Sequence, residues 1–427
     1  MNTAYKLPTH PCRVIPTSVR VVGAWAIYPG QTRLEADKKL RRDNCGNAGE
    51  RTCHSVREKG VTVPQIGIST AFLGNLRAGT WQYTAHLLQG VSGNSDITAV
   101  DRVNRELPGI DLPVRTYPGG GEKLAKFLWP NFILPQRATS DKIELMHCTT
   151  PYGTFMPCRY KNVITICDVT PLLFPAAHNR MNVWHHRYVL PAILKRADRI
   201  ITISECSKRD IVRFYGISEQ KVTVTMLAAD ACYTPHPEGT GGAFVKDLPR
   251  PYVLNVGTLE PRKNLDGLLR AFAQAKKSGV PHTLVIAGAR GWGDSRLAPL
   301  LRELGIAGAV IFTGFVEDED LPYLYAGADF FVYPSFYEGF GIPVLEAMAC
   351  GTPVIASNTS SIPEVAGDAA LLVDPHSDAE LSAAIIRLAG DACLRQGLRE
   401  RGLSRAALFS WEKTVKETLK VYENLLQ

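Results

Sequence analysis

Two glutamates, Glu338 and Glu346, flank a glycine-punctuated loop, and this spacing indicates a ligand site. The apolar run 329–333 before them predicts a buried strand. Residues 344–350 predict a helix that ends at Gly351. A strand, a glycine loop and a helix start together offer free backbone N–H groups to a phosphate. Carboxylates accept hydrogen bonds from hydroxyl pairs, which suits a ribose or a hexose. The alternative is an ordinary strand–helix connection with both glutamates solvated.

A cationic pair, Arg262 and Lys263, follows the predicted strand 252–256 and precedes Asn264, a good helix N-cap. Gly257 lets the backbone approach a ligand closely. A guanidinium and an ammonium together can neutralise a diphosphate. Taken alone, the pair could equally be a solvent-exposed helix start. The Glu338 loop in the same half of the chain favours the interpretation that the pair binds phosphate.

The chain offers little for a metal ion. Its one Asp-x-Asp is Asp318-Glu319-Asp320, which lies in an acidic run that predicts a helix start. Positive side chains and a helix dipole can stabilise a leaving diphosphate instead. Ten cysteines are scattered without a CxxC pair, which argues against zinc. We therefore expect metal-independent chemistry, no metal site and no cofactor.

Composition places the chain among soluble globular proteins, with 45% hydrophobic and 21% charged residues. The net charge of +7 fits anionic small ligands or an anionic membrane surface and does not call for nucleic acid. No apolar run approaches the roughly eighteen residues of a membrane span. The N-terminus lacks an apolar signal core, which predicts a cytoplasmic product, peripheral on the inner face of the membrane if it binds lipid.

Short apolar strands alternate with helices from residue 65 onwards, which predicts the α/β class with two doubly wound parallel sheets, Rossmann-like, that face each other across a cleft. Residues 1–60 lack periodicity and are expected to be poorly ordered or absent from the natural product, with residue 61 as an alternative start. The remaining predicted segments are a first domain over 61–235, a linker over 236–250, a second domain over 251–409 and a terminal helix over 410–427, which could pack back on the first domain.

Predicted strands fall in both domains, and predicted helices lie between them. In the first domain the strands are 65–69, 97–101, 143–147, 162–166, 199–203 and 222–226. In the second they are 252–256, 283–287, 309–312, 330–333, 353–356 and 370–373. One long helix is expected over 182–196, and another over 208–215 with Ser207 and Asp210 forming a capping box.

Three strings in the second domain carry a resemblance: NVGTLEPRKNL at 255–265, FTGF at 312–315 and PSFYEGFGIPVLEAMACGTPVI at 334–355. In them the chain resembles the GT-B retaining glycosyltransferases of family 4, particularly the mannosyltransferase-like branch that builds bacterial surface polysaccharides. The likeness extends from about residue 65 to the C-terminus and is weaker in the first half.

The resemblance implies roles for matching positions. Arg262 and Lys263 would bind the donor diphosphate and help expel the nucleoside diphosphate, Glu338 would contact the sugar hydroxyls, and Glu346 would bind the ribose. Further donor-binding positions would be Gly257, Gly314, Gly339, Phe340 and Gly341. Transfer would proceed with retention, by front-face departure and attack, without a protein nucleophile.

The first domain matches in part. Gly79 and Thr80 lie where the family has a glycine loop, although a plain turn is an equal alternative. Cys167 occupies the place of the family's histidine before Asp168, and a thiol cannot carry the charge of an imidazole. Another group must then take over the role of that histidine toward the sugar, or the activity of this protein is reduced or altered. Asp168 is expected to bind the acceptor or cap the next segment, and Cys167 to be a buried structural residue.

The expected function is therefore a metal-independent hexosyltransferase that moves mannose from GDP-mannose to a surface-polysaccharide or lipid-linked glycan. Alternatives are a GT-B enzyme of another type (a nucleotide-sugar epimerase or a glycogen-synthase-like enzyme), or a catalytically weak sugar-nucleotide-binding homologue because of Cys167. A dinucleotide oxidoreductase would need Gly-x-Gly-x-x-Gly after a first strand, which is missing. A basic and aromatic stretch could rest on an anionic membrane or simply pack on its sheet; its residues are Trp184, His185, His186, Arg187, Tyr188, Lys195 and Arg196.

Overall fold

A computed structural model describes residues 64–73, 79–103, 109–119, 124–237, 240–289 and 296–427. The expectations for residues 1–60 and for a start at residue 61 lie outside the described residues. Within these segments, no helix combines the length and the apolar character that crossing a membrane requires.

The first sheet has strands in the order β3-β2-β1-β4-β5-β6-β7, and every neighbouring pair is parallel. Its central strands are buried because helices cover both faces, as a doubly wound sheet requires. The strands are β1 (Gln65–Ser69), β2 (Ile97–Asp101), β3 (Val114–Thr116), β4 (Ile143–Cys148), β5 (Lys161–Thr165), β6 (Arg199–Thr202) and β7 (Val222–Val224).

Helices of this first domain alternate with the strands. They are α1 (Gly79–Gly90), α2 (Ala125–Leu128), α3 (Leu134–Ser140), α4 (Thr170–Leu173), α5 (Arg180–Trp184), α6 (Leu190–Arg196) and α7 (Glu205–Tyr215). A π-helical turn, Trp129–Ile133, joins α2 to α3, and another, His185–Val189, joins α5 to α6. The long helix predicted over 182–196 thus contains a π segment.

The second sheet has the order β10-β9-β8-β11-β12-β13, again parallel throughout. Its strands are β8 (Tyr252–Val256), β9 (Thr283–Ala287), β10 (Val310–Gly314), β11 (Phe330–Tyr333), β12 (Val354–Ser357) and β13 (Ala370–Val373). After a short helix α8 (Ala243–Lys246), the helices are α9 (Leu265–Lys277), α10 (Leu297–Leu304), α11 (Leu321–Ala326), α12 (Ile342–Ala349), α13 (Ile362–Ala366), α14 (Asp378–Gly390), α15 (Ala392–Ala406) and α16 (Trp411–Leu426).

The terminal helix α16 crosses back to the first domain. Tyr422 Oη lies 2.6 Å from Nδ1 of the buried His147, and Tyr83 Oη lies 3.3 Å from Thr418 Oγ1. The Trp411 indole donates to Asp230 at 3.1 Å. These buried polar contacts fix the helix against α1 and β4, so the last elements of the chain stabilise the first sheet.

Three details differ from the sequence prediction. The edge strand β3 was missed, because three largely exposed residues carry no periodic signal. The capping box at Ser207 is wrong, because the N-cap of α7 is Ser204, three residues earlier, whose Oγ accepts from the Ser207 N–H at 3.0 Å. The acidic run precedes α11, as predicted, but the side chain of the N-cap residue Asp320 does not bond the helix and accepts from the Gly242 N–H at 3.1 Å.

Candidate active site

Glycines close the carboxyl ends of three neighbouring strands in the second sheet. Gly288, after β9, has φ +153°, and a Cβ there would lie 2.0 Å from the carbonyl oxygen of Gly257. The Gly288 N–H donates to the Gly314 carbonyl at 2.8 Å. Only glycine allows backbones to approach this closely. Gly257 and Gly314 are therefore brought together at the strand ends, where open α/β sheets bind ligands.

Arg262 and Lys263 lie in a single 3₁₀ turn, Pro261–Lys263, and both contact Glu338. Arg262 Nη1 is 2.7 Å from Glu338 Oε2, and Lys263 Nζ is 2.8 Å from Glu338 Oε1. Arg262 Nη2 also bonds Glu260 at 2.5 Å, and Lys263 Nζ bonds Tyr333 Oη at 2.5 Å. The predicted cationic pair and the first glutamate of the motif thus form one cluster.

Charge attraction outweighs burial for Glu338 and Arg262 but not for Lys263. Burial alone would raise the pKa of Glu338, but Lys263 and Arg262 outweigh it and lower that pKa from 4.5 to about 2. Burial lowers the pKa of Lys263 despite the attraction of Glu338. Burial also opposes the charge on Arg262, yet Glu338 and Glu260 raise its pKa above the ordinary value. Glu338 is ionised and held at both carboxylate oxygens.

The loop between β11 and α12 presents unpaired amides. Ser360 Oγ accepts from the Glu338 N–H at 3.0 Å, and the Ser361 hydroxyl donates to the Glu338 and Phe340 carbonyls at 2.9 and 2.8 Å. No acceptor in the described part of the chain pairs with the N–H groups of Gly339, Phe340 and Gly341. Gly341, with φ +101°, is the N-cap of α12. The loop can therefore donate several hydrogen bonds to an anion.

Glu346 lies on α12 and is only 5% exposed. Its Oε2 accepts from the Tyr325 hydroxyl at 2.8 Å, and the Tyr233 hydroxyl also favours its charged form. Burial raises the pKa of Glu346 from 4.5 to about 7, although both tyrosine hydroxyls oppose the rise. The two glutamates of one motif therefore have opposite electrostatic environments.

First-domain residues approach this loop across the cleft. A Cβ on Gly339 would lie 2.9 Å from the Asp168 Cβ and 3.2 Å from the Cys167 carbonyl oxygen. A Cβ on Gly79, at the start of α1, would lie 3.9 Å from Cδ1 of Ile342. The predicted cleft residues of the first domain and the start of α12 therefore face each other.

Cys167 and Asp168 both have local partners. The Cys167 sulfur lies 3.5 Å from Thr80 Oγ1, and burial raises the pKa of the thiol to about 12. Asp168 accepts from the Thr170 N–H and hydroxyl at 2.9 and 2.5 Å, a local turn just before α4, whose N-cap is Val169. Cys167 is half-buried, and a thiol that stays neutral has the chemistry of a structural residue and not of a nucleophile.

Sequence reasoning missed several partners at the site. Glu260 and Tyr333 share the cationic pair with Glu338, and Tyr325 shares Glu346. Each stands at or near a predicted strand or helix end, which is the signal that could have marked it. His178 was also missed: this half-buried imidazole lies within electrostatic range of Asp168, Glu260 and Arg262.

Two family profiles match the chain. The one described as "Glycosyl transferases group 1" covers residues 242–405, and "Glycosyltransferase Family 4" covers residues 91–226. The chain is 37% identical over 276 residues to O-antigen chain mannosyltransferase B of Escherichia coli, an alignment that covers 64% of this chain and 72% of that protein. The chain belongs to the family 4 glycosyltransferases. As a member of that family it is a glycosyltransferase, and the resemblance read from its motifs is confirmed.

Other similarities agree with this membership. Serotype-specific mannosyltransferase WbdA of Escherichia coli is 28% identical over 276 residues, 63% of this chain but only 34% of that protein. The solved structure of sucrose-phosphate synthase from Thermosynechococcus elongatus superposes with a TM-score of 0.67 at 22% identity, covering 85% of this chain and 99% of that one. At 22% identity this similarity is evidence for the fold alone. It confirms the predicted GT-B architecture of two parallel-sheet domains.

Proposed function

We propose that this glycosyltransferase moves mannose from GDP-mannose, with retention of the anomeric configuration, to a growing surface-polysaccharide or lipid-linked glycan. One observation carries the proposal: Arg262, Lys263 and Glu338 converge beside the unpaired amides of Gly339 to Gly341. Mannose as the transferred sugar is suggested by the mannosyltransferase relatives, and GDP as its carrier remains an expectation from the resemblance to the mannosyltransferase-like branch.

The leaving diphosphate would be held by positive charge and amides without a metal ion. Lys263 has three N–H donors, of which Glu338 and Tyr333 occupy two. The third, together with the loop amides and the positive end of the α12 dipole, can bind phosphate oxygens. Charge that develops on the leaving group is then stabilised by groups that are already in place.

Glu338 is suited to hydrogen bonding and not to covalent attack. Both of its oxygens are bound to cations, and its pKa of about 2 makes it a weak base and a weak nucleophile. A sugar hydroxyl can still donate to the remaining lone pairs of the carboxylate. This arrangement supports front-face transfer, in which the leaving phosphate oxygen takes the proton of the acceptor hydroxyl.

Glu346 would accept hydrogen bonds from the ribose hydroxyls. Among the described contacts, Tyr325 bonds only the Oε2 oxygen of Glu346, while Tyr233 supplies a further hydroxyl nearby. Gly314, at the end of β10, would leave room for the base beside it. Asp168, close to Gly339, stands on the side from which the acceptor would enter.

The test is a panel of GDP- and UDP-sugars, scored for release of nucleoside diphosphate with a glycan acceptor present, with and without EDTA. We expect GDP-mannose to be the best donor and its turnover to survive EDTA, and NMR of the product to show the α-anomer retained. A strict requirement for a divalent ion would contradict the role of Arg262 and Lys263. Binding of GDP-mannose without turnover on any acceptor would favour the alternative, a catalytically weak homologue with Cys167 in place of histidine.

We further propose that α5 and the π turn after it rest on an anionic membrane surface. Met181, Trp184 and Tyr188 are 70%, 49% and 62% exposed, and they share one helical stripe with the exposed Arg180 and Arg187. No carboxylate among the described residues pairs with either arginine. Exposed aromatic rings between unpaired cations suit the interface of a bilayer with anionic lipids.

Co-sedimentation with vesicles tests this surface. Wild-type protein should sediment with phosphatidylglycerol-containing vesicles, and W184A/Y188A should stay in the supernatant. Phe214→Ala serves as the matched control, because that ring is also exposed, at 39%, but lies on α7. Equal sedimentation of the double variant and the control would contradict the assignment.

A further inference from the structure

Helix α7 of the first domain holds the loop that carries Glu338. Tyr337 Oη donates to Asp210 Oδ2 at 2.6 Å, and Ser207 Oγ donates to the Gly339 carbonyl at 3.2 Å. These two contacts are made by the residues on either side of Glu338. The carboxylate itself bonds only to groups of the second domain in the described contacts.

A third contact joins the N-terminus of α7 to the second domain. The Glu364 carboxylate accepts from the Glu205 and Cys206 N–H groups, each at 2.9 Å. A carboxylate at a helix N-terminus satisfies amides that have no partner within the helix and is attracted by its dipole. Arg405 in turn donates to the carbonyls of Glu364 and Val365 at 2.6 and 2.8 Å. The first turn of α7 is therefore fixed relative to α13 and α15.

The position of Tyr337 reaches the cationic cluster directly. Arg262 Nη1 donates to the Tyr337 carbonyl at 2.7 Å and bonds Glu338 at 2.7 Å through the same nitrogen. A shift of Tyr337 would therefore change the geometry between Arg262 and Glu338. The Asp210 carboxylate anchors Tyr337 from the other side of the cleft.

We propose that Asp210 and Ser207 are positioning residues for sugar transfer, which set the Tyr337–Gly339 segment and with it the orientation of Glu338. The inference rests on the proposed function, in which Glu338 contacts the transferred sugar. Nucleotide binding uses groups of the second domain and does not need α7. Turnover needs α7 in contact with the loop, so the two domains must be closed when the sugar is transferred.

The experiment compares Asp210→Ala, Asp210→Asn and Tyr337→Phe with wild type. GDP affinity is measured by titration calorimetry, and kcat by GDP release from GDP-mannose with acceptor. One hydrogen bond to a charged group is lost in D210A and Y337F, so kcat should fall about tenfold or more in each. The double variant D210A/Y337F should be no slower than either single one, because both remove the same bond. Asparagine keeps an oxygen for the tyrosine hydroxyl, so D210N should retain most of kcat.

The readout that separates positioning from general damage is GDP affinity, which should stay within about twofold of wild type in all three variants. Arg213→Ala, an exposed residue on the same helix, controls for perturbation of α7 and should leave both quantities unchanged. Wild-type kcat in D210A, or a loss of GDP affinity that matches the loss of kcat, would overturn this inference alone. Failure of wild-type protein to bind GDP or to turn over any donor would overturn the proposed function itself.

Discussion

Replacement of Glu346 by glutamine should stabilise the fold at alkaline pH while it weakens nucleotide binding. The carboxyl group is buried, and burial is the largest cause that raises its pKa from 4.5 to about 7. Asp230 and Asp318 add repulsion, while the hydroxyls of Tyr325 and Tyr233 act in the opposite direction. The native state therefore disfavours the ionised form relative to the unfolded chain.

The sign and size follow from linkage. When folding raises the pKa of a carboxyl, the free energy of unfolding is highest below pH 4.5, where the group is protonated in both states. It falls as pH rises through about 7. At about 1.4 kcal/mol for each pKa unit, a rise from 4.5 to about 7 corresponds to about 3 kcal/mol. Glutamine has a similar shape and no charge to ionise. The free energy of unfolding of E346Q minus that of wild type should therefore grow by about 2 to 3 kcal/mol between pH 5 and pH 8.

Urea unfolding followed by tryptophan fluorescence at pH 5, 6, 7 and 8 measures this difference. GDP binding by calorimetry at pH 8 gives the functional counterpart, and E346Q should bind more weakly because an amide offers a poorer acceptor to the ribose hydroxyls. Such a gain in stability with a loss of binding is the exchange expected of a group retained for function.

Glu338→Gln is the matched control, with the same chemical change in the same motif. In the wild type the pKa of Glu338 is lowered to about 2, so the ionised carboxylate stabilises the fold above pH 4.5. That contribution is lost only as pH falls towards 2. E338Q should lose about 3 kcal/mol, nearly independent of pH between 5 and 8. The reasoning is refuted if E346Q shows no pH-dependent gain, or if both variants shift in the same direction.

Three further predictions concern the scaffold and the cysteines. Tyr422→Phe removes the 2.6 Å hydrogen bond to the buried His147 and should lower the free energy of unfolding by about 1 to 3 kcal/mol in urea; an unchanged midpoint would contradict the anchoring of α16. Iodoacetamide at pH 7 should modify the exposed Cys393 well before the half-buried Cys167, because a thiol pKa of about 12 keeps Cys167 protonated. Peptide mapping that finds Cys167 modified first would contradict that raised pKa. Gly288→Ala places a Cβ on the Gly257 carbonyl and should lower the free energy of unfolding by several kcal/mol. Gly279→Ala is the control, because that residue has a positive φ but lies in open space, and it should lose about 1 to 2 kcal/mol. Similar melting temperatures for the two variants would be evidence against the close approach.

Local patterns in the sequence were sufficient for the elements. The strand at 330–333 was predicted with its observed bounds because four apolar residues follow a turn. Asn264 was predicted as an N-cap, and its side chain accepts from the Gly267 N–H at 3.3 Å. The alternation of strands and helices indicated two parallel sheets, and both are present. Each of these features depends on residues within a few positions of one another.

The sequence alone determined which residue types stand at the strand ends, and hence that a cationic pair and two carboxylates lie in one domain. Only the tertiary structure decided how they pair: Glu338 with Arg262 and Lys263, Glu346 with Tyr325, and Tyr337 with Asp210, which is 127 residues away. Chemistry at a position is a property of its side chain and its neighbours in the chain. The burial of a side chain and its distant partners are set by how the strands and helices pack in space. Here they lower the pKa of Glu338 and raise that of Glu346 from the ordinary glutamate value.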